Sequence, residues 1–234
     1  MSRSLAASVA RQLEDEIVAR DWPVGEVLGS ERELIERMGV SRAVLREAVR
    51  IVEHHGIARM RRGPGGGLVV SAPEFDAVAQ SIALYLRHAG ATRRQLFELR
   101  VTLELAAIAA AAARVDETAV ARLRACVASE RRRGYGETLA TAPHDLHLLI
   151  AELSGNPAMR LFARVLADLT ADRGDAAVPP REAVAHGAAH RGIVEALVAG
   201  DGALAQLRMR RHLEAVAPVF ADAHGPWSPQ RPAL

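Results

Sequence analysis

The chain has 234 residues and a mass of 25.1 kDa, room for one large domain or two ordinary ones. Half of it is apolar and a quarter charged, which excludes a disordered chain, and its single cysteine, Cys126, excludes a disulfide framework or a cysteine zinc site. The basic residues are 30 arginines with no lysine against 28 acids, so the net charge of +2 says nothing of a nucleic-acid partner unless the charge is concentrated somewhere.

The start, Met1-Ser-Arg-Ser, leads directly into an amphipathic stretch with no signal-peptide core, so a cytoplasmic protein is expected. Leu5, Val9, Leu13 and Ile17 recur at helical spacing until Asp21-Trp-Pro-Val-Gly breaks the pattern. Ser30-Glu-Arg-Glu33 then has the form of a capping box, opening a short helix that ends at Gly39. Ser41 caps a third helix with Leu45, Ala48, Val49 and Val52 on its apolar side and Gly56 at its end. Two short apolar runs, 57–61 and 68–70, flank a glycine-rich turn and predict a hairpin. Helix, helix, tight turn, helix and hairpin make a winged helix-turn-helix.

Charge is concentrated on this segment. Between residues 42 and 62 six arginines oppose Glu47 and Glu53, a local charge of +4 that exceeds the total for the chain. Arg42, Arg46 and Arg50 stand one turn apart, opposite the apolar stripe. A row of arginines alone is the ordinary solvated face of a helix. Joined to the capping box, the turn and the hairpin, it fits the major groove, where a guanidinium can bind guanine O6 and N7 together.

The stretch from Gly25 to Val70, with SERELIERMGVSRAVLREAV at its centre, resembles the DNA-binding domain of the GntR superfamily of bacterial transcription regulators. The resemblance implies that Arg32, Arg42 and Arg46 are the main DNA-contacting side chains, with Ser41 on phosphate and Arg62-Gly63 at the wing tip in the minor groove. Gly29 departs from the family's usual proline and is expected to loosen the lead into the second helix.

Beyond residue 75 the periodicity predicts six or seven helices over 75–88, 92–114, 116–133, 138–153, 156–173, 180–199 and 201–222. The apolar run 106–113 is mostly alanine and follows Arg100 and Glu104, so it is not a membrane span. The expected fold class is mostly α, an N-terminal winged helix-turn-helix followed by an antiparallel all-helical bundle. Its domains are 1–72 for DNA, 75–223 for the bundle, and a frayed tail over 224–234. The strings LFELRVTLELAAIAAAAA, HLLIAELSGNPAM, HRGIVEALVAGD and RMRRHLE resemble the FCD effector domain of the FadR-type branch of GntR regulators.

Three histidines fall on apolar faces: His147 with Ile150, His190 with His186, Ile193 and Leu197, and His212 with Ala205 and Met209. A single inward histidine is more often a satisfied core residue, but three on separate helices can converge on a divalent metal of zinc, nickel or manganese type. The resemblance implies the same three as ligands, with an aspartate four residues before the first. Pro143 occupies that position, and Asp145 points to another side. The alternatives are a site that adds His144, a three-histidine site with water, or a metal-free pocket, and weaker divalent binding than in aspartate-containing relatives is expected. Arg100 also falls on a buried stripe, where it needs an anionic partner: either Glu104 one turn on, or the carboxylate of an effector, as the resemblance implies.

These residues point to a homodimeric regulator, not an enzyme, whose partners are a palindromic double-stranded operator and a small organic acid. The acid would act through the 71–76 linker. A metal-dependent hydrolase and a DNA-architectural protein with an inert bundle are the competing classes.

Overall fold

The computed structural model describes residues 5–133, 145–170 and 180–218. The chain divides into two compact units, Met1–Ile82 and Ala83–Leu234, with the division inside one helix. The tail over 224–234, Pro143 and His144 lie outside the described residues.

In the first unit, α1 (Leu5–Ala19) buries Val9, Leu13 and Ile17 against α3 (Arg42–His54), which contributes Leu45, Ala48 and Val52. Between them α2 (Glu31–Met38) contributes the fully buried Leu34. The capping box forms as the sequence predicts: Glu33 N–H donates to Ser30 Oγ, and the Ser30 N–H donates to Glu33 at 2.7 Å. Gly39 ends α2 in the left-handed region (φ 62°), where a side chain would be strained, and this sets the tight turn into α3. Arg37 ties the group together by donating to the Leu28 carbonyl and to Glu16 of α1.

The hairpin is β1 (Ala58–Arg61) and β2 (Gly67–Val70), antiparallel with Arg61 opposite Gly67. One element was missed from sequence. Residues 25–29 run along the other edge of β2 as a third, irregular strand, with Val27 opposite Val69. Leu28 N–H donates to Leu68 O at 2.8 Å, and Leu68 N–H to Gly29 O at 2.9 Å. The approach is so close that a Cβ on Gly67 would stand 2.4 Å from the Gly29 carbonyl oxygen. Gly29 itself sits at φ 152°, far from the φ of about −65° that proline requires. Proline could not take this conformation, so the backbone path here requires another residue, and glycine adopts it freely.

After the hairpin come α4 (Phe75–His88), α5 (Arg93–Ala112), α6 (Glu117–Arg133), α7 (Asp145–Leu153), α8 (Pro157–Thr170), α9 (Pro180–Val198) and α10 (Gly202–Val216). Short turns join α7 to α8 and α9 to α10, and each pair packs side by side. Helix α5 is central: it packs on α7, α8 and α10, burying Phe97, Leu105, Ile108 and Ala111. Leu123, Leu146, Ile150, Ile193, Leu197 and Met209 complete that core. Among the described residues no helix is long and apolar enough to cross a membrane.

Candidate DNA interface and histidine centre

The helix-turn-helix places the arginines of α3 on its open face. Arg42, Arg46 and Arg50 have side chains 73%, 68% and 77% exposed. They are not bare charges. Glu31, at the start of α2, lies 3.0 Å from Arg46 Nε and 3.8 Å from Arg42 Nε, while Arg50 pairs with Glu47. Arg32 is exposed beside Glu36, and Arg62 and Gly63 stand in the exposed loop of the hairpin. Ser41 Oγ accepts the Val44 N–H as N-cap, which leaves its O–H as the part it can offer a phosphate oxygen. The role of Glu31 was not foreseen from sequence, although its place in the capping box puts it beside the next helix.

In the second unit, His147 from α7, His190 from α9 and His212 from α10 meet in the core, each at most 5% exposed. The buried stripes carry them there: Ile150 lies one turn from His147, Ile193 and Leu197 follow His190, and Met209 precedes His212. Their nearest ring nitrogens lie within 4.8 Å of one another. His212 Nε2 is 3.3 Å from His190 Nε2 and 3.3 Å from His147 Nε2.

The outer nitrogens have fixed partners. His147 Nδ1 donates to Glu104 Oε2, and His190 Nδ1 to the Glu130 carboxylate at 2.9 Å. Arg100 closes the network: its Nε donates to Glu104 Oε1 at 2.6 Å and its Nη1 to Thr170 Oγ1 at 3.0 Å. Of the two partners considered for Arg100, Glu104 is thus present in the fold. Burial alone would raise the Glu104 carboxyl, but His147 and Arg100 beside it more than offset that and hold it well below the carboxylate range. Burial and the neighbouring His147 push His190 down to about 3. Burial and the other histidines push His212 down as well.

This geometry decides the tautomers. A carboxylate only accepts, so in their neutral, metal-binding forms His147 and His190 would carry the proton on Nδ1 and a lone pair on Nε2. His212 Nε2 faces both of them at 3.3 Å. A cation among the three would satisfy all. Imidazoles bound to one ion through bonds of roughly 2.0–2.1 Å have centroids about 4.4–5.3 Å apart, from right-angle to tetrahedral geometry. The observed separations are 5.1, 5.2 and 4.8 Å. Carboxylates on the outer nitrogens are also the usual support of metal-bound histidine. The donor set fits a divalent metal.

Glu104 and Glu130 were missed as supports. The signal for Glu130 is its place in the stripe of Leu123 and Val127 on α6, at steps of four and three. His144 cannot be placed, since it lies outside the described residues.

A winged helix-turn-helix with an open arginine face, followed by an all-helical unit around a buried polar centre, defines a DNA-binding regulator. Residues 5–69 match the family described as bacterial regulatory proteins, gntR family, and residues 95–215 match the FCD domain. The chain belongs to the GntR family of transcription regulators, in the group that carries an FCD domain. It is 27% identical over 224 residues to the HTH-type transcriptional repressor NanR of Cronobacter sakazakii, covering 92% of this chain and 84% of that protein. It is 28% identical over 218 residues to the uncharacterized HTH-type transcriptional regulator YcbG of Bacillus subtilis, covering 92% and 89%. Among solved structures, Streptococcus agalactiae GntR superposes with a TM-score of 0.67 at 25% identity, covering 92% of this chain and 99% of that one. The family and these relatives are transcription regulators, which removes the hydrolase reading.

Proposed function

We propose that the protein is an effector-responsive repressor that binds a palindromic operator as a homodimer. In this reading its helical unit senses a small carboxylate at a divalent ion held by His147, His190 and His212. The observation that carries the sensory half is the convergence of three buried Nε2 atoms while two Nδ1 atoms are engaged by carboxylates. A bound ion would supply a Lewis-acid point for a carboxylate oxygen. The protein's own part is to fix the tautomers of His147 and His190 through Glu104 and Glu130. Arg100 stands there paired with Glu104 and offsets its charge, so the attraction for an anionic effector would come from the ion.

On DNA, Arg42 and Arg46 would exchange Glu31 for guanine edges, with Arg32 beside them and Ser41 on phosphate. Arg62 and Gly63 would follow the minor groove at the wing. Pairing of two heads is what a palindromic site requires, since a single small head has too little specificity for a genome. The sign of regulation is supported by relatives named as repressors.

The test has two parts. Elemental analysis of protein purified without chelator, and again after addition of zinc, should find one ion per chain. Operator binding should then respond to one member of a panel of organic, sugar and amino acids, with about 1–3 kcal/mol of coupling. Absence of metal after zinc addition would sink the metal part. Metal without any ligand-dependent thermal shift would point to an inert bundle and an architectural role.

A further inference from the structure

A fourth imidazole stands beside the three. His186 precedes His190 by one turn of α9, so the two side chains leave the helix on one face. Its ring centroid lies 4.2 Å from that of His190 and 4.7 Å from that of His212. Those separations bracket the value of about 4.5 Å for two imidazoles bound to one ion at right angles, given metal–nitrogen bonds of roughly 2.0–2.1 Å. Its nitrogens fall outside the set formed by the other three, so ligation requires the His186 side chain to turn toward the ion from the side of His190 and His212.

That side is open. His186 is half-buried and, with His212, Arg208, Arg211 and Gly192, lines a cavity of about 650 Å³ between α9 and α10. A polar ring turned toward two other imidazoles gains little from packing that an apolar side chain would not give. A shared cation supplies the partner that those rings cannot all give one another.

We propose that His186 is the fourth protein ligand of the ion held by His147, His190 and His212, making an all-imidazole site reached from the α9–α10 cavity. The inference rests on the metal reading above and goes beyond the three-ligand set. Four neutral imidazoles bring no charge to the ion. Glu104 and Glu130 balance it from outside, and Arg208 and Arg211 line the path by which an anion would arrive. Such a donor set favours zinc, nickel or copper over magnesium or manganese.

The full-length protein, stripped by chelator and reloaded with Co²⁺, should show four sets of paramagnetically shifted imidazole proton signals. His186→Ala should show three, and its Zn²⁺ affinity by calorimetric titration should fall at least 10- to 100-fold, the range that even supporting residues command. His186→Gln is read alongside, and in its place should the alanine variant fail to fold. Three sets in the wild type, or unchanged Zn²⁺ affinity in the folded variants while His190→Ala abolishes loading, would overturn the fourth ligand and leave the three-histidine site standing. Failure of the wild type to take up either ion would overturn both.

Discussion

The DNA head and the histidine centre both rest on arginine–glutamate pairs, held in opposite surroundings. Arg46 and Glu31 meet at 3.0 Å with side chains 68% and 35% exposed, whereas Arg100 and Glu104 meet at 2.6 Å with 6% and 5% exposed. An exposed pair is worth roughly 0.2–1 kcal/mol, so Arg46 can leave Glu31 for a base edge at little cost. A buried pair cannot be parted that way, because each charge left behind is unsolvated. In the proposed function the head would exchange its partners on DNA, while the buried pair keeps its partners.

The comparison breaks most visibly at Glu104. Glu104→Ala removes a buried carboxylate that both Arg100 Nε and His147 donate to, so about 3–5 kcal/mol of stability should be lost in denaturant titration. The double variant Arg100→Met, Glu104→Leu should recover part of that loss, since apolar replacements leave no orphan charge. A loss below about 1 kcal/mol would place the pair with surface bridges such as that of Arg46.

Metal removal comes next. At a free concentration near 100 times its dissociation constant, an ion bound only by the folded state stabilises by about 2.7 kcal/mol. Chelator treatment should therefore lower the thermal midpoint of the wild type and leave that of His190→Ala unchanged. Equal shifts in the two proteins would show that the chelator acts elsewhere.

At the head, Arg42→Ala or Arg46→Ala should weaken operator binding by roughly 1–3 kcal/mol per half-site and leave stability nearly unaltered. Binding should also weaken steeply with salt. An equal loss on random DNA would mean that these side chains only meet phosphate.

The two regions also differed in how far they could be read from sequence. The head was legible because its signals are local: Ser30 and Glu33 cap one helix, Gly39 ends it and Ser41 opens the next, all within twelve residues. What escaped was non-local, the pairing of residues 25–29 with β2, which is too short to show alternation. In the helical unit the apolar stripes identified His147, His190 and His212 as inward. Periodicity gives a face but not its neighbour across the core, so Glu130, sixty residues from His190, could not be assigned to it. The choice between partners for Arg100 was open for the same reason, and Glu104 lay on the same helical face all along.

The smallest expected effect tests the exchange itself. Glu31 stands between α2 and the arginines of α3, where it pairs with both Arg42 and Arg46. In free protein it neutralises part of the reading face. Glu31→Gln should change folding stability by no more than about 0.5 kcal/mol, as expected of an exposed bridge. Two effects on DNA should follow. Removing a negative charge from the interface strengthens attraction to any phosphate backbone, so binding to random DNA should tighten. Losing the carboxylate that aligns both guanidinium groups should leave operator binding with little or none of that gain. The ratio of operator to random affinity should therefore fall, by about twofold to fivefold, equivalent to roughly 0.4–1 kcal/mol. Fluorescence anisotropy with operator and scrambled duplexes at one salt concentration reads that ratio directly. An unchanged ratio would mean that Glu31 only neutralises charge and that the arginines find the bases without it.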